Sequence, residues 1–139
     1  PLDLMQPYRL EMGRKFASGK ANSLYEFWGE RLTQFLNDEL AQHRGKSRVL
    51  VNLASNEYFN SIKPNALDAS IITPVFKDFS NGKYKIVSFY AKKARGEMAA
   101  YIIQNRLKDP EALLNFDVNG YAFSAADSTP DSPVFLRKQ

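Results

Sequence analysis

SIITPVFKDFSNGKYKIVSFYAKKARGEMAAYIIQNRLK, residues 70–108, decides how this chain folds. Two runs rich in β-branched and aromatic residues, 70–79 and 83–91, flank Asn81-Gly82. Asn-Gly suits a two-residue turn with positive φ at both positions, so the pair predicts an antiparallel hairpin. Pro74 lacks an N–H, which makes the first arm an edge strand or a bulged one. Residues 91–107 then predict a long helix. At 100° per residue, Ala91, Ala94, Met98, Tyr101 and Asn105 share one side. Lys92, Arg95, Ala99 and Arg106 share another, bordered by Ile102 and Ile103. On this reading Lys92, Lys93 and Arg95 stand at a helix start, where each cation costs about 0.3–1 kcal/mol. Gly96 falls in the first turn, where it is about 1 kcal/mol worse than a good helix former. A glycine there admits close approach by another backbone or by a phosphate. Internal carboxylates, solvent or an anionic partner would each account for the cations.

Upstream, residues 1–20 read as irregular or extended. Ser23 and Glu26 have capping-box spacing. Leu24, Phe27, Trp28, Leu32, Phe35, Leu36 and Leu40 then recur at helical intervals, predicting one amphipathic helix to about His43, stopped by Gly45. The apolar run 48–54 predicts a buried strand, and Ser55 or Asn56 caps a short helix after it. Downstream, 108–116 predicts a connector with one helical turn, and 120–125 and 133–138 predict two late strands. The sum is an α+β chain: a mainly antiparallel mixed sheet with two long helices.

With 139 residues, 44% of them hydrophobic and 13% aromatic, the chain suits a single globular domain. It has no cysteine, so disulfides, thiolate metal sites and cysteine nucleophiles are excluded. No apolar run is long enough to span a membrane. The opening PLDLMQPYRL has no signal-peptide pattern and reads as a piece of something longer. Net charge is +4, but residues 83–108 hold seven cations and one anion, leaving the rest slightly acidic. A focused basic segment suits a polyanion or a solvated face.

Other candidates are weaker. Arg9 and Glu11 lie two apart, on one face if extended, and either pair with each other or leave Arg9 for an anion. Asn52, Ser55 and Glu57 lie at a strand-to-helix turn, but Ser55 has no nucleophile-elbow context and no apparent base. His43 is the only histidine, and its place at a helix end is a sufficient account of it. The carboxylates show no metal-ligand spacing, and no phosphate-loop or dinucleotide motif occurs, so no catalytic residue, metal or cofactor is assigned.

LMQPYRLEMG, RVLVNLASNEYF, GKYKIVSFYAKKARGEMAAYIIQNRLKDPEAL and GYAFSAADSTPDSPVFLRK together resemble the C-terminal half of the YaaA peroxide-stress family. The resemblance covers nearly the whole chain. It implies a cytoplasmic bacterial protein of the hydrogen peroxide response that limits free intracellular iron and DNA damage. It also implies DNA binding, duplex or single-stranded and with little sequence preference, through a basic cleft. Arg9, Lys92, Lys93, Arg95, Gly96 and Arg106 would then face phosphates, with Glu11, Asn52, Ser55 and Glu57 as polar support. Family members open with a segment absent here, so 1–139 reads as one domain or the later part of one. The alternatives are an enzyme acting on a phosphorylated or nucleic-acid substrate, with Glu11 or Glu57 as acid or base, and a structural half with no activity of its own. The non-enzymatic reading is preferred.

Overall fold

A computed structural model describes residues 10–15, 21–42 and 48–138. The elements in chain order are α1 (Leu24–Trp28), α2 (Arg31–Gln42), β1 (Val49–Val51), α3 (Asn56–Phe59), β2 (Ser70–Ile72), β3 (Val75–Ser80), β4 (Lys83–Lys85), α4 (Ser88–Gln104), β5 (Ala122–Phe123) and β6 (Val134–Arg137), with short 3-10 turns between them. The α+β class, the mixed sheet and the two long helices are those read from the sequence.

The 70–108 stretch forms the centre. Asn81 and Gly82 have φ of 55° and 80° and close the hairpin, with Ser80 opposite Lys83. Pro74 is neither on an edge strand nor at a bulge. It lies between β2 and β3, which belong to different sheets: β1 and β2 form a parallel pair, and β4-β3-β6-β5 is the order of the larger sheet. Within that sheet β3 runs parallel to β6 and antiparallel to β4.

Alternation along β3 turns Phe76 and Asp78 inward, and both are buried. Phe76, Phe116, Tyr121 and Phe135 form the aromatic core, with Phe76–Phe135 stacked and Phe76–Tyr121 edge to face. Ala91, Ala94 and Met98 of α4 are buried, and Ala94 and Met98 join that aromatic cluster. Small residues there let the helix lie close to the sheet.

Three expectations change. The arm read as 83–91 is a strand only over Lys83–Lys85, and the helix read as 91–107 runs over Ser88–Gln104. Its length is as expected and its register is shifted by three residues. Ser88 to Tyr90, expected at the end of the strand, form the first turn of α4, which the Ala91 N–H closes on the Val87 carbonyl. The single helix expected over 24–43 is broken at Gly29 (φ 52°), the C-cap of α1. Ser23 does cap α1, its hydroxyl accepting from the Glu26 N–H, while the Glu26 carboxylate accepts from the N–H of Asn22. Within α2 the buried side chain is Thr33, whose hydroxyl accepts from the Lys63 N–H, while Phe35 is 61% exposed. The expected end of that helix, His43 to Gly45, lies outside the described residues.

Candidate nucleic-acid interface

Because α4 begins at Ser88, Lys92 is its fifth residue, not its first or second. The helix dipole acts mainly within the first turn, so most of the expected penalty on the cations disappears. What remains is where each cation goes.

Lys92 is exposed, and no carboxylate pairs with it among the described residues. Lys93 lies 3.7 Å from Glu97, one turn on, with its side chain 63% exposed. Such an exposed pair is worth about 0.3–0.5 kcal/mol and does not neutralise the row. The Glu97 carboxylate also accepts from the Asn119 side-chain amide. Arg95 is half-buried and donates from Nη1 to the carbonyl oxygen of Ala54 at 3.3 Å. Gly96 is the ninth residue of α4, not part of its first turn, and a Cβ built there meets nothing within 4 Å. Among the described residues, none approaches closely enough to require glycine.

Arg106 leaves the row. The Leu107 N–H bonds the Ile102 carbonyl and the Arg106 N–H bonds the Ile103 carbonyl, which is a Schellman ending with Arg106 in the left-handed position (φ 49°). The carbonyl pattern of this terminus, not helical periodicity, sets its direction.

The turn after β1 is built by Asn52. Its backbone N–H bonds the Ile72 carbonyl, its side-chain oxygen accepts from the Ala54 N–H at 3.1 Å, and its side-chain nitrogen donates to Thr73 Oγ1 at 3.3 Å. Asn52 is buried, so its polar groups are spent on the turn. The turn presents the Ala54 carbonyl to Arg95. Ser55 is the N-cap of α3 through its carbonyl, and its hydroxyl makes no capping bond. The Glu57 carboxylate accepts the Met12 N–H at 3.2 Å, and its carbonyl accepts from the Tyr25 hydroxyl at 2.6 Å. Glu57 thus ties residues 10–15 and α1 to α3. The Glu11 carbonyl accepts from the Arg14 N–H. Arg9 lies outside the described residues.

The structure therefore connects Arg95 with the turn held by Asn52 and leading into Ser55 and Glu57. It places Lys92 and Lys93 on the open side of the same helix.

One polar cluster was missed from sequence. Asp78 accepts from Arg137 Nε at 2.6 Å and from the Tyr121 hydroxyl at 3.0 Å, across β3, β6 and the start of β5. The Arg137 guanidinium also lies against the rings of Tyr90 and Tyr121, 4.8 and 4.5 Å from their centroids. Burial first, then the bond to Asp78 and its charge, push the Tyr121 phenol well above its ordinary value. The signal was available: alternation puts Asp78 on the face of Phe76, an inward charge in a strand. Beside it a cleft of about 550 Å³ opens between the hairpin and the start of α4, lined by Ser80, Lys85, Ile86, Ser88 and Tyr90 among others.

Together these features describe a class: an α+β protein whose mixed sheet is packed against one long helix carrying an exposed cationic row. The chain belongs to the YaaA peroxide-stress family, whose model, described as peroxide stress protein YaaA, matches residues 1–127. It is 55% identical over 138 residues to a UPF0246 protein of Burkholderia multivorans (strain ATCC 17616 / 249), covering 99% of this chain and 53% of that protein. UPF0246 proteins of Burkholderia mallei (strain SAVP1) and Burkholderia pseudomallei (strain K96243) are each 56% identical with the same coverage. The chain spans about half the length of the curated relatives it matches. No helix among the described residues is long and apolar enough to cross a membrane.

Proposed function

We propose that this chain binds the phosphate backbone of DNA through Lys92, Lys93 and Arg95, as part of a cytoplasmic peroxide-stress response that limits DNA damage and free iron. The observation that carries the reading is Lys92. It is exposed, without a carboxylate partner among the described residues, and beside a second cation that is only weakly paired. Arg95 supports it: one of its five N–H groups goes to Ala54 and leaves others for a phosphate oxygen. Recognition of this sort is largely independent of sequence and depends steeply on salt. The iron effect would be indirect: one histidine and no cysteine leave carboxylates, which are weak and unselective ligands for iron. The enzymatic alternative finds no support in Glu57, which holds the Met12 N–H.

Fluorescence anisotropy of labelled duplex and single-stranded DNA across a salt series tests this. Lys92→Ala with Lys93→Ala should flatten the log–log salt slope by about two phosphate contacts. An unchanged slope in a folded double variant removes these lysines from the interface. No binding by the folded parent at low salt removes the reading for this chain.

A further inference from the structure

One face of α4 is buried, through Ala91, Ala94 and Met98. The opposite face is also apolar. Phe89, Gly96, Ala100 and Ile103 fall within about 60° of one another and span about 21 Å of helix. All four are exposed, Phe89 and Ile103 at 74% each. A helix apolar on both sides belongs between two layers, and only one layer is present among the described residues. Gly96 and Ala100 at the middle leave the backbone open to close approach.

A second feature points the same way. β1 and β2 form a two-stranded parallel sheet among the described residues, and although Val51 and Ile72 pack against the core, their apolar residues Val49, Leu50, Val51, Ile71 and Ile72 are only half-buried. Parallel strands are ordinarily covered on both faces and extended by further strands. The length comparison offers an occupant: the curated relatives carry nearly as much chain again beyond the matched part.

We propose that the outer face of α4, from Phe89 to Ile103, is a docking surface for the portion of a family polypeptide that this chain does not span. The occupant is a chain segment with an apolar strip, laid along Gly96 and Ala100 between Phe89 and Ile103. Lys92 and Lys93 flank that strip. Their stems lie along the seam while their ammonium groups stay in water, where they remain available to phosphates.

The test is co-expression of this chain with the tagged remainder of the Burkholderia multivorans relative, followed by capture and light scattering. A one-to-one complex is expected, with slowed amide exchange at Gly96 and Ala100. Ile103→Asp and Phe89→Asp change exposed side chains and should leave the free chain folded by circular dichroism. Each should weaken the complex at least roughly 30-fold, as loss of a large apolar hot-spot side chain does. Lys83→Glu, at the start of β4, should leave it unchanged. Failure of the soluble tagged remainder to carry this chain through capture overturns the proposal. A complex indifferent to both aspartate variants overturns it too. So does a homodimer of this chain that Ile103→Asp dissolves, because the occupant is then a second copy. DNA takes no part in the assay, so its outcome is separate from that of the phosphate-binding reading.

Discussion

Replacing Asp78 by Leu should be among the most damaging single changes in the chain. The Asp78 side chain is 2% exposed and that of Arg137 is 14% exposed, so neither charge can turn to solvent when its partner is lost. Removing one member of a buried pair costs about 3–5 kcal/mol, because the other charge is left uncompensated. Arg137 has little in reserve, since its Nη2 is already buried, has no hydrogen-bond partner among the described residues and faces aromatic rings instead. The Tyr121 hydroxyl loses its acceptor in the same variant. Against a total stability of about 5–15 kcal/mol, a loss of this size shifts the urea midpoint severely or unfolds the chain. Arg137→Met alone should cost a similar amount, since it strands the carboxylate. The double variant, Asp78→Leu with Arg137→Met, buries no charge and should lie far closer to the parent than the sum of the singles. Urea denaturation followed by circular dichroism measures all four corners of the cycle. The reasoning fails if Asp78→Leu costs less than about 1 kcal/mol, or if the double variant loses the full sum.

Tyr121 makes stability sensitive to alkali. Its folded pKa is raised, so the fold favours the protonated phenol, and this contribution is intact below the unfolded value near 10. Above that pH the unfolded chain releases the proton while the folded one holds it, and stability should fall by about 1.4 kcal/mol per pH unit. Between pH 9 and 11, as the slope develops, denaturant unfolding should show a loss of about 1.4 kcal/mol in all in the parent that Tyr121→Phe does not show. Arg106→Gly should stabilise the chain by about 1 kcal/mol, because φ of 49° is strained for arginine and free for glycine. A lower melting temperature in that variant would mean that the arginine side chain makes a contact outweighing the backbone strain. Gly96→Ala should also stabilise the isolated chain by up to about 1 kcal/mol, since the added methyl meets nothing. A destabilised variant in the same thermal scan would place something over that face already.

Local signals were the legible ones. Asn81-Gly82 gives the hairpin because both residues tolerate positive φ, and Ser23 gives a helix start because its hydroxyl can reach an N–H three residues on. Gly29, in the middle of an otherwise periodic stretch, was the visible sign of the break between α1 and α2. The parallel pairing of β3 with β6 was not legible, because its partners, such as Phe76 and Phe135, are brought together only by the fold. For the candidate site, periodicity sufficed to put Lys92 and Arg95 on one side of a helix. It could not show that Arg95 reaches the carbonyl of Ala54, a contact 41 residues away in sequence, or that a Schellman ending withdraws Arg106 from the row.

The three-residue shift of α4 changes the question that its cations raise. At a helix start they would have needed a counter-charge to offset the dipole, and an anionic ligand would have followed almost by default. In the second turn they need none, so the case for a polyanion rests on what the row lacks among the described residues, namely carboxylates close enough to spend it. Glu97 is the one acidic residue in the basic segment, and it is shared between Lys93 and Asn119. Lys92 is therefore the residue on which binding and internal pairing diverge most sharply. If the row serves phosphates, removing Lys92 should change salt-dependent binding and leave stability within about 0.5 kcal/mol of the parent. Arg95 should change both, because its guanidinium also bridges α4 to the turn that Asn52 holds.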